Sequence, residues 1–72
     1  MSIFSDNLKL LRKVKHKTQY QISQELEITI KRYAKWEEDK SEPAFAELIK
    51  LAEYHGKTLD DLVRRRHNLV SC

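Results

Sequence analysis

The side chains of this sequence most suited to chemistry are three histidines, one cysteine and two lysines set four residues apart. His16, His55 and His67 share no metal-ligand spacing, and no cysteine lies near enough to them to suggest a zinc site. No Ser/His/Asp or paired-carboxylate arrangement emerges either, because Asp60 and Asp61 read as helix-start acids, which the helix dipole favours. The expectation is a chain without metal, cofactor or enzyme activity. Lys31 and Lys35 offer more. Counting about 100° per residue from Ile30 in a helix, Ile30, Ala34, Lys31 and Lys35 fall at about 0°, 40°, 100° and 140°. On the same count Arg32 lies at about 200°, and Trp36 and Tyr33 at about 240° and 300°. The aromatics therefore face a core. Two lysines interleaved with Ile30 and Ala34 face outward, and an ordinary solvated face would be more uniformly polar.

That face needs a scaffold, and the rest of the chain reads as short helices. Thr29 suits the cap of the helix that carries Lys31 and Lys35. Just before it, Thr18 and Gln21 form a Thr-x-x-Gln capping box that starts a helix about two turns long, with Ile22 and Leu26 on its buried side and Ser23 small enough for close approach. Two turns are too few to persist alone in water, so this helix must pack at once against its neighbours. Thr18 to Trp36 thus reads as a helix-turn-helix broken at Glu27 and Ile28. Upstream, Phe4, Leu8, Leu11 and Val14 lie along one stripe of a first helix that Ser2 can cap, with Lys9, Lys13 and Lys15 opposite and Arg12 beside the stripe. Downstream, the polar run EEDKSEP closes at Pro43. Phe45, Leu48, Ile49 and Ala52 then describe a fourth helix to about His55, ended by Gly56 where a left-handed residue is wanted. Thr58 and Asp61 cap a fifth helix carrying Leu59, Leu62 and Val63, and Arg64, Arg65 and Arg66 suit its C-terminal dipole.

At 72 residues the chain has room for one domain and little for a deep cavity, which argues against a large enzyme pocket or a small-molecule ligand. One Gly and one Pro suit an all-α domain better than hairpins. No run approaches the roughly 18 apolar residues of a membrane span. A signal peptide is not expected, since Asp6 and Asn7 break the first apolar cluster. The lone Cys72 cannot form an intrachain disulfide and fits a cytoplasmic protein. Residues 1–36 carry eight Lys/Arg and three Asp/Glu, a net +5, whereas residues 37–72 carry six and eight, a net −2. The asymmetry suggests a polyanion as partner of the first half, with simple solvation as the plainer account.

Several of these segments, in order, resemble the small helix-turn-helix regulators of the Cro and phage-repressor (lambda-repressor-like) type, often called XRE-type. The resemblance covers Phe4 to Val63 and rests on Phe4, Leu8, Leu11 and Arg12, on Thr18 and Gln19, and on Ile22, Leu26 and Ile28. It continues through KWE at Lys35 to Glu37, KSEP at Lys40 to Pro43, and LAEYHGKTLDDL at Leu51 to Leu62. It implies a five-helix domain over residues 1–66, with residues 67–72 left as an unassigned tail. It further implies a sequence-specific transcriptional regulator, with repression the expected mode, acting on double-stranded DNA as a homodimer. By position, Thr29, Ile30, Lys31, Ala34 and Lys35 would face the bases, and Thr18, Gln19, Arg32 and Lys40 would contact or approach phosphates. Arg12 and Glu37 would form an ion pair fixing the third helix to the first. The chemistry of the outward face suits this use: lysine donates to guanine O6 and N7, and Ile30 and Ala34 can meet thymine methyls. The alternative is a protein-binding module of the same fold, an antitoxin or adaptor. The Leu69–Val70 tail and the fifth helix are candidates for a self-complementary patch.

The chain departs from the family where glycine is usual, with His16, Glu27 and Asp39 in those places. Asp tolerates a left-handed backbone, but Glu27 should be strained if the turn keeps its geometry. Glu38 and Asp39 place negative charge where the family runs close to the DNA backbone. His55 stands at a position usually apolar in the family, which suggests a half-buried structural imidazole.

Overall fold

The computed structural model describes residues 3–64, and within them every regular element is helical. They are α1 (Ile3–Val14), α2 (Gln19–Leu26), α3 (Ile30–Glu37), α4 (Phe45–His55) and α5 (Leu59–Val63). Ser2, Arg65, Arg66 and the tail from His67 to Cys72 lie outside the described residues. Thr18, Thr29 and Thr58 each start a helix, their hydroxyls accepting from the N–H three residues on, of Gln21 at 3.0 Å, Arg32 at 3.2 Å and Asp61 at 3.0 Å. Gln21 and Asp61 return the bond to the N–H of Thr18 and Thr58, which closes two capping boxes.

Helices α1 to α4 all end in the same way. After each, one N–H reaches back five positions and the N–H just before it reaches back three, to the next carbonyl: Lys17 to Arg12 and His16 to Lys13, Ile28 to Ser23 and Glu27 to Gln24, Lys40 to Lys35 and Asp39 to Trp36, Lys57 to Ala52 and Gly56 to Glu53. This paired closure needs a left-handed residue at its centre. Gly56 supplies one at φ 65°, but the other three are His16 at 57°, Glu27 at 62° and Asp39 at 62°. The turn of the helix-turn-helix keeps its closure although a glutamate occupies it.

Leu8, Leu11, Ile22, Leu26, Tyr33, Trp36, Leu51, Ala52 and Leu62 form the core, with Phe4, Ile28, Leu48, Tyr54 and Leu59 packed against it. Helix α1 packs on α3 and α5, α2 on α3 and α4, and α4 on α5. Four residues expected inside are not. Val14 ends α1 and is 54% exposed, because the chain turns away at His16 before a partner can cover it. Phe45 and Ile49 are 69% and 37% exposed. The inward arc of α4 is centred on Leu48, Leu51 and Ala52, which leaves Phe45 at its overhanging first turn and Ile49 on its rim. Val63 is likewise at the surface, so Leu59 and Leu62 carry the inner side of α5. Asn7 is buried for a reason the sequence hides: its side-chain amide donates to the Leu62 carbonyl at 3.0 Å and to that of Asp61 at 3.3 Å, tying α1 to the end of α5. No described helix is long and apolar enough to cross a membrane.

Candidate nucleic-acid interface

Helix α3 is eight residues long and its sides differ sharply. Tyr33 and Trp36 are 0% and 2% exposed and pack edge to face with centroids 6.0 Å apart. This aromatic pair sets the rotation of α3, and Lys31 and Lys35 consequently project outward with Ile30, while Ala34 is half-buried beside them. Ile30 is 43% exposed. Among the described residues, neither lysine has an ionic partner. Thr29, Lys31, Arg32 and Lys35 meet Ser41, from the loop after α3, around an open depression. In the sequence Ser41 appears only within the KSEP match, with no helical spacing to mark it as a site residue.

Beneath this face lies a polar anchor. The Glu37 carboxylate is 2% exposed and receives Arg12 Nε at 2.6 Å, Arg12 Nη2 at 3.0 Å and Gln19 Nε2 at 2.9 Å. Arg12 Nη1 also donates to the Lys17 carbonyl at 3.1 Å, so one guanidinium holds α1, the α1–α2 connection and α3 together. Burial alone would raise the Glu37 carboxyl, but the surrounding donors, Arg12 first, hold it below the ordinary carboxylate range. The same contact keeps Arg12 above its ordinary value. Burial, with Glu37 nearby, raises the Tyr33 phenol well beyond its usual range and keeps it neutral.

The residues expected to touch phosphates are distributed less simply. Thr18 sits exposed at the start of α2, its hydroxyl engaged in the cap. One amide hydrogen of Gln19 is committed to Glu37. Lys40 lies in the loop after α3, with its ammonium 3.3 Å from Glu38. Arg32 is not a free cation: its Nε and Nη2 donate to the Glu47 carboxylate at 2.8 and 2.7 Å. Glu47 went unnoticed in the sequence. The available signal was its place three residues after Ala44, the half of a capping box that survives when the cap residue has no hydroxyl.

Away from this face, Tyr54 donates its hydroxyl to Glu25, which also pairs with Lys17 at 2.7 Å, and Lys15 lies over the Tyr54 ring at 4.9 Å. His55 is half-buried against the Tyr54 ring, and its Nε2 is buried without a hydrogen-bond partner among the described residues. Burial, with Lys15 and Lys57 adding, pushes its pKa down to about 4. Among the described residues, no group of His, Cys, Asp and Glu could hold a metal ion.

The helix pair, its shared turn and the outward face of α3 define a helix-turn-helix domain. The chain belongs to that family, whose model matches residues 6–66. Among solved structures the chain is similar to a transcriptional regulator from Listeria innocua, with 26% sequence identity and a TM-score of 0.79. The likeness covers 96% of this chain and 64% of the other, so the chain spans a little under two thirds of that protein. Among curated proteins, none is similar enough to match.

Proposed function

We propose that the chain is a sequence-specific, DNA-binding transcriptional regulator of the XRE type, which inserts α3 into the major groove. The observation that carries this reading is the pair Lys31 and Lys35, exposed and, among the described residues, without ionic partners beside Ile30, on a helix whose opposite side is locked by Tyr33 and Trp36. An exposed isoleucine between solvated lysines is unfavourable in water, but both kinds of side chain find complements at base edges. Thr29 and Ala34 complete the reading face. Phosphates would be met by Thr18, by the remaining amide hydrogen of Gln19 with the N–H groups of the first turn of α2, and by Arg32 and Lys40. Part of the same proposal is action as a homodimer on two half-sites about one helical turn apart, the arrangement by which dimers of such domains bind. Repression, by occupying an operator in the cytoplasm, is the mode that the phage-repressor resemblance favours.

The test is binding to fragments selected from random DNA. Lys31→Ala and Lys35→Ala should each cut the preference for selected over random fragments by roughly tenfold or more, the discrimination of one good base contact, with thermal stability unchanged. The affinity of the parent should fall steeply with salt, by a slope of about 0.9 per phosphate neutralised. Unaltered discrimination in both variants would remove α3 as the reading helix. Salt-independent behaviour, or no DNA binding, would favour a protein-binding module presenting Ile30.

A further inference from the structure

The bidentate contact between Arg32 and Glu47 joins α3 to α4 across 15 residues of sequence, and Glu47 is doubly held. Its Oε1 accepts from Arg32 Nη2 and also from the Ala44 backbone N–H at 2.9 Å, which fixes the carboxylate at the start of α4. An anchored carboxylate orients a guanidinium, because the planar fork matches it only in one plane. The Nε edge of Arg32 is engaged, while among the described residues Nη1 and the second Nη2 hydrogen stay available. The guanidinium carbon lies 5.9 Å from the centre of the Trp36 ring, and the side chain, still 51% exposed, borders the depression shared with Thr29, Lys31, Lys35 and Ser41. An arginine with neither support would sample many rotamers and would have to be ordered on binding.

We propose that Glu47 is a positioning residue for DNA binding, holding Arg32 with its free guanidinium edge directed at a backbone phosphate beside the groove that α3 enters; this rests on the DNA-binding reading above. The role makes a prediction opposite to that of charge alone. A carboxylate near a polyanion repels it, so its neutralisation should tighten binding if Glu47 were only a charge. If Glu47 positions Arg32, the same change loosens binding.

The experiment measures binding of the full chain, Glu47→Gln, Arg32→Ala and the double variant, to a selected fragment and to random DNA over a range of salt. Glutamine keeps an oxygen for the Ala44 N–H, so the start of α4 survives, and matching thermal midpoints verify this. Glu47→Gln should weaken binding roughly five- to tenfold, and equally on both DNAs, since a phosphate contact carries no sequence information. The salt slope should shrink by about one. In the Arg32→Ala background the same substitution should cause no loss, which a merely structural role for Glu47 would not reproduce. Unchanged or tighter binding by Glu47→Gln overturns the proposal, as does an equal loss in the presence and absence of Arg32. Failure of the parent to bind any DNA overturns the DNA-binding reading itself and this role with it, a result distinguished by all four proteins behaving alike.

Discussion

Glu27 occupies the backbone conformation that L-residues avoid, at φ 62° and ψ 40°, and its side chain is 84% exposed with only a 4.0 Å approach to Lys50 to hold it. His16 and Asp39 share that conformation, but both types visit it more readily than glutamate does. The strain at a β-carbon in this region is about 1–2 kcal/mol, and the Lys50 contact is an exposed pair of little worth. Glu27→Gly should therefore stabilise the domain by about 1 kcal/mol, a rise of roughly 4–8 °C in thermal midpoint for a domain of this size. The reverse change tests the same physics where space is not an issue. A β-carbon at Gly56 would meet nothing within 4 Å among the described residues, so Gly56→Ala should cost about 1 kcal/mol through conformation alone. Calorimetry of both variants decides the matter: an unchanged or lower midpoint for Glu27→Gly would mean that the turn carries no strain.

Helix α3 is held to α1 and α2 by a buried polar junction, and the energetics of that junction belong to the elements it joins. Glu37 is buried and met by Arg12 and Gln19, so removal of Arg12 leaves a buried carboxylate short of donors. Breaking a buried pair from one side costs about 3–5 kcal/mol, a large share of the 5–15 kcal/mol that holds a domain together. Arg12→Met should lower the urea midpoint severely, and Arg12→Met with Glu37→Leu should recover much of the loss by removing the orphaned charge. A double variant no more stable than Arg12→Met would show that the pair contributes more than mutual compensation. The elements themselves were legible in the sequence because their signals are local. Thr18, Thr29 and Thr58 cap over three residues, Gly56 marks a helix end, and the steps between Tyr33 and Trp36 set the inward side of α3. Contacts between distant segments were not legible in periodicity. Asn7 finds its acceptors on α5, and Glu47 reaches Arg32 from a cap position where alanine hides the usual signature. Phe45 and Ile49 matched the spacing of a buried stripe, yet α4 is rotated so that Leu51 takes the interior. The Arg12–Glu37 pair was reached through family resemblance, since 25 residues separate its members. The lysine face of α3 followed from helical geometry, whereas the restraint on Arg32, which alters what that side chain can offer a phosphate, needed the packing of α4.

At the scale of the whole molecule, the response to acid should divide into two pH windows with separate causes. In the fold, burial against Tyr54 and the nearby charges of Lys15 and Lys57 depress His55 from its ordinary 6.5 to about 4. The unfolded chain therefore binds a proton at this residue that the folded chain refuses. Stability from neutral His55 is fully present above pH 6.5 and is lost as pH falls towards 4. A depression of this size corresponds to a loss of up to about 3 kcal/mol. Glu37 acts lower down: its carboxyl is held below the ordinary 4.5, so its stabilisation is complete above 4.5 and disappears only as pH falls through the depressed folded value. Urea midpoints measured from pH 7.5 to 3 should decline first through the imidazole window and then more steeply through the carboxylate one. His55→Leu places an apolar side chain where Nε2 has no hydrogen-bond partner among the described residues, and it should flatten the first decline while leaving the second intact. If the parent midpoint is constant between pH 6.5 and 4.5, or if His55→Leu retains the slope, the half-buried imidazole is not what limits this domain in mild acid.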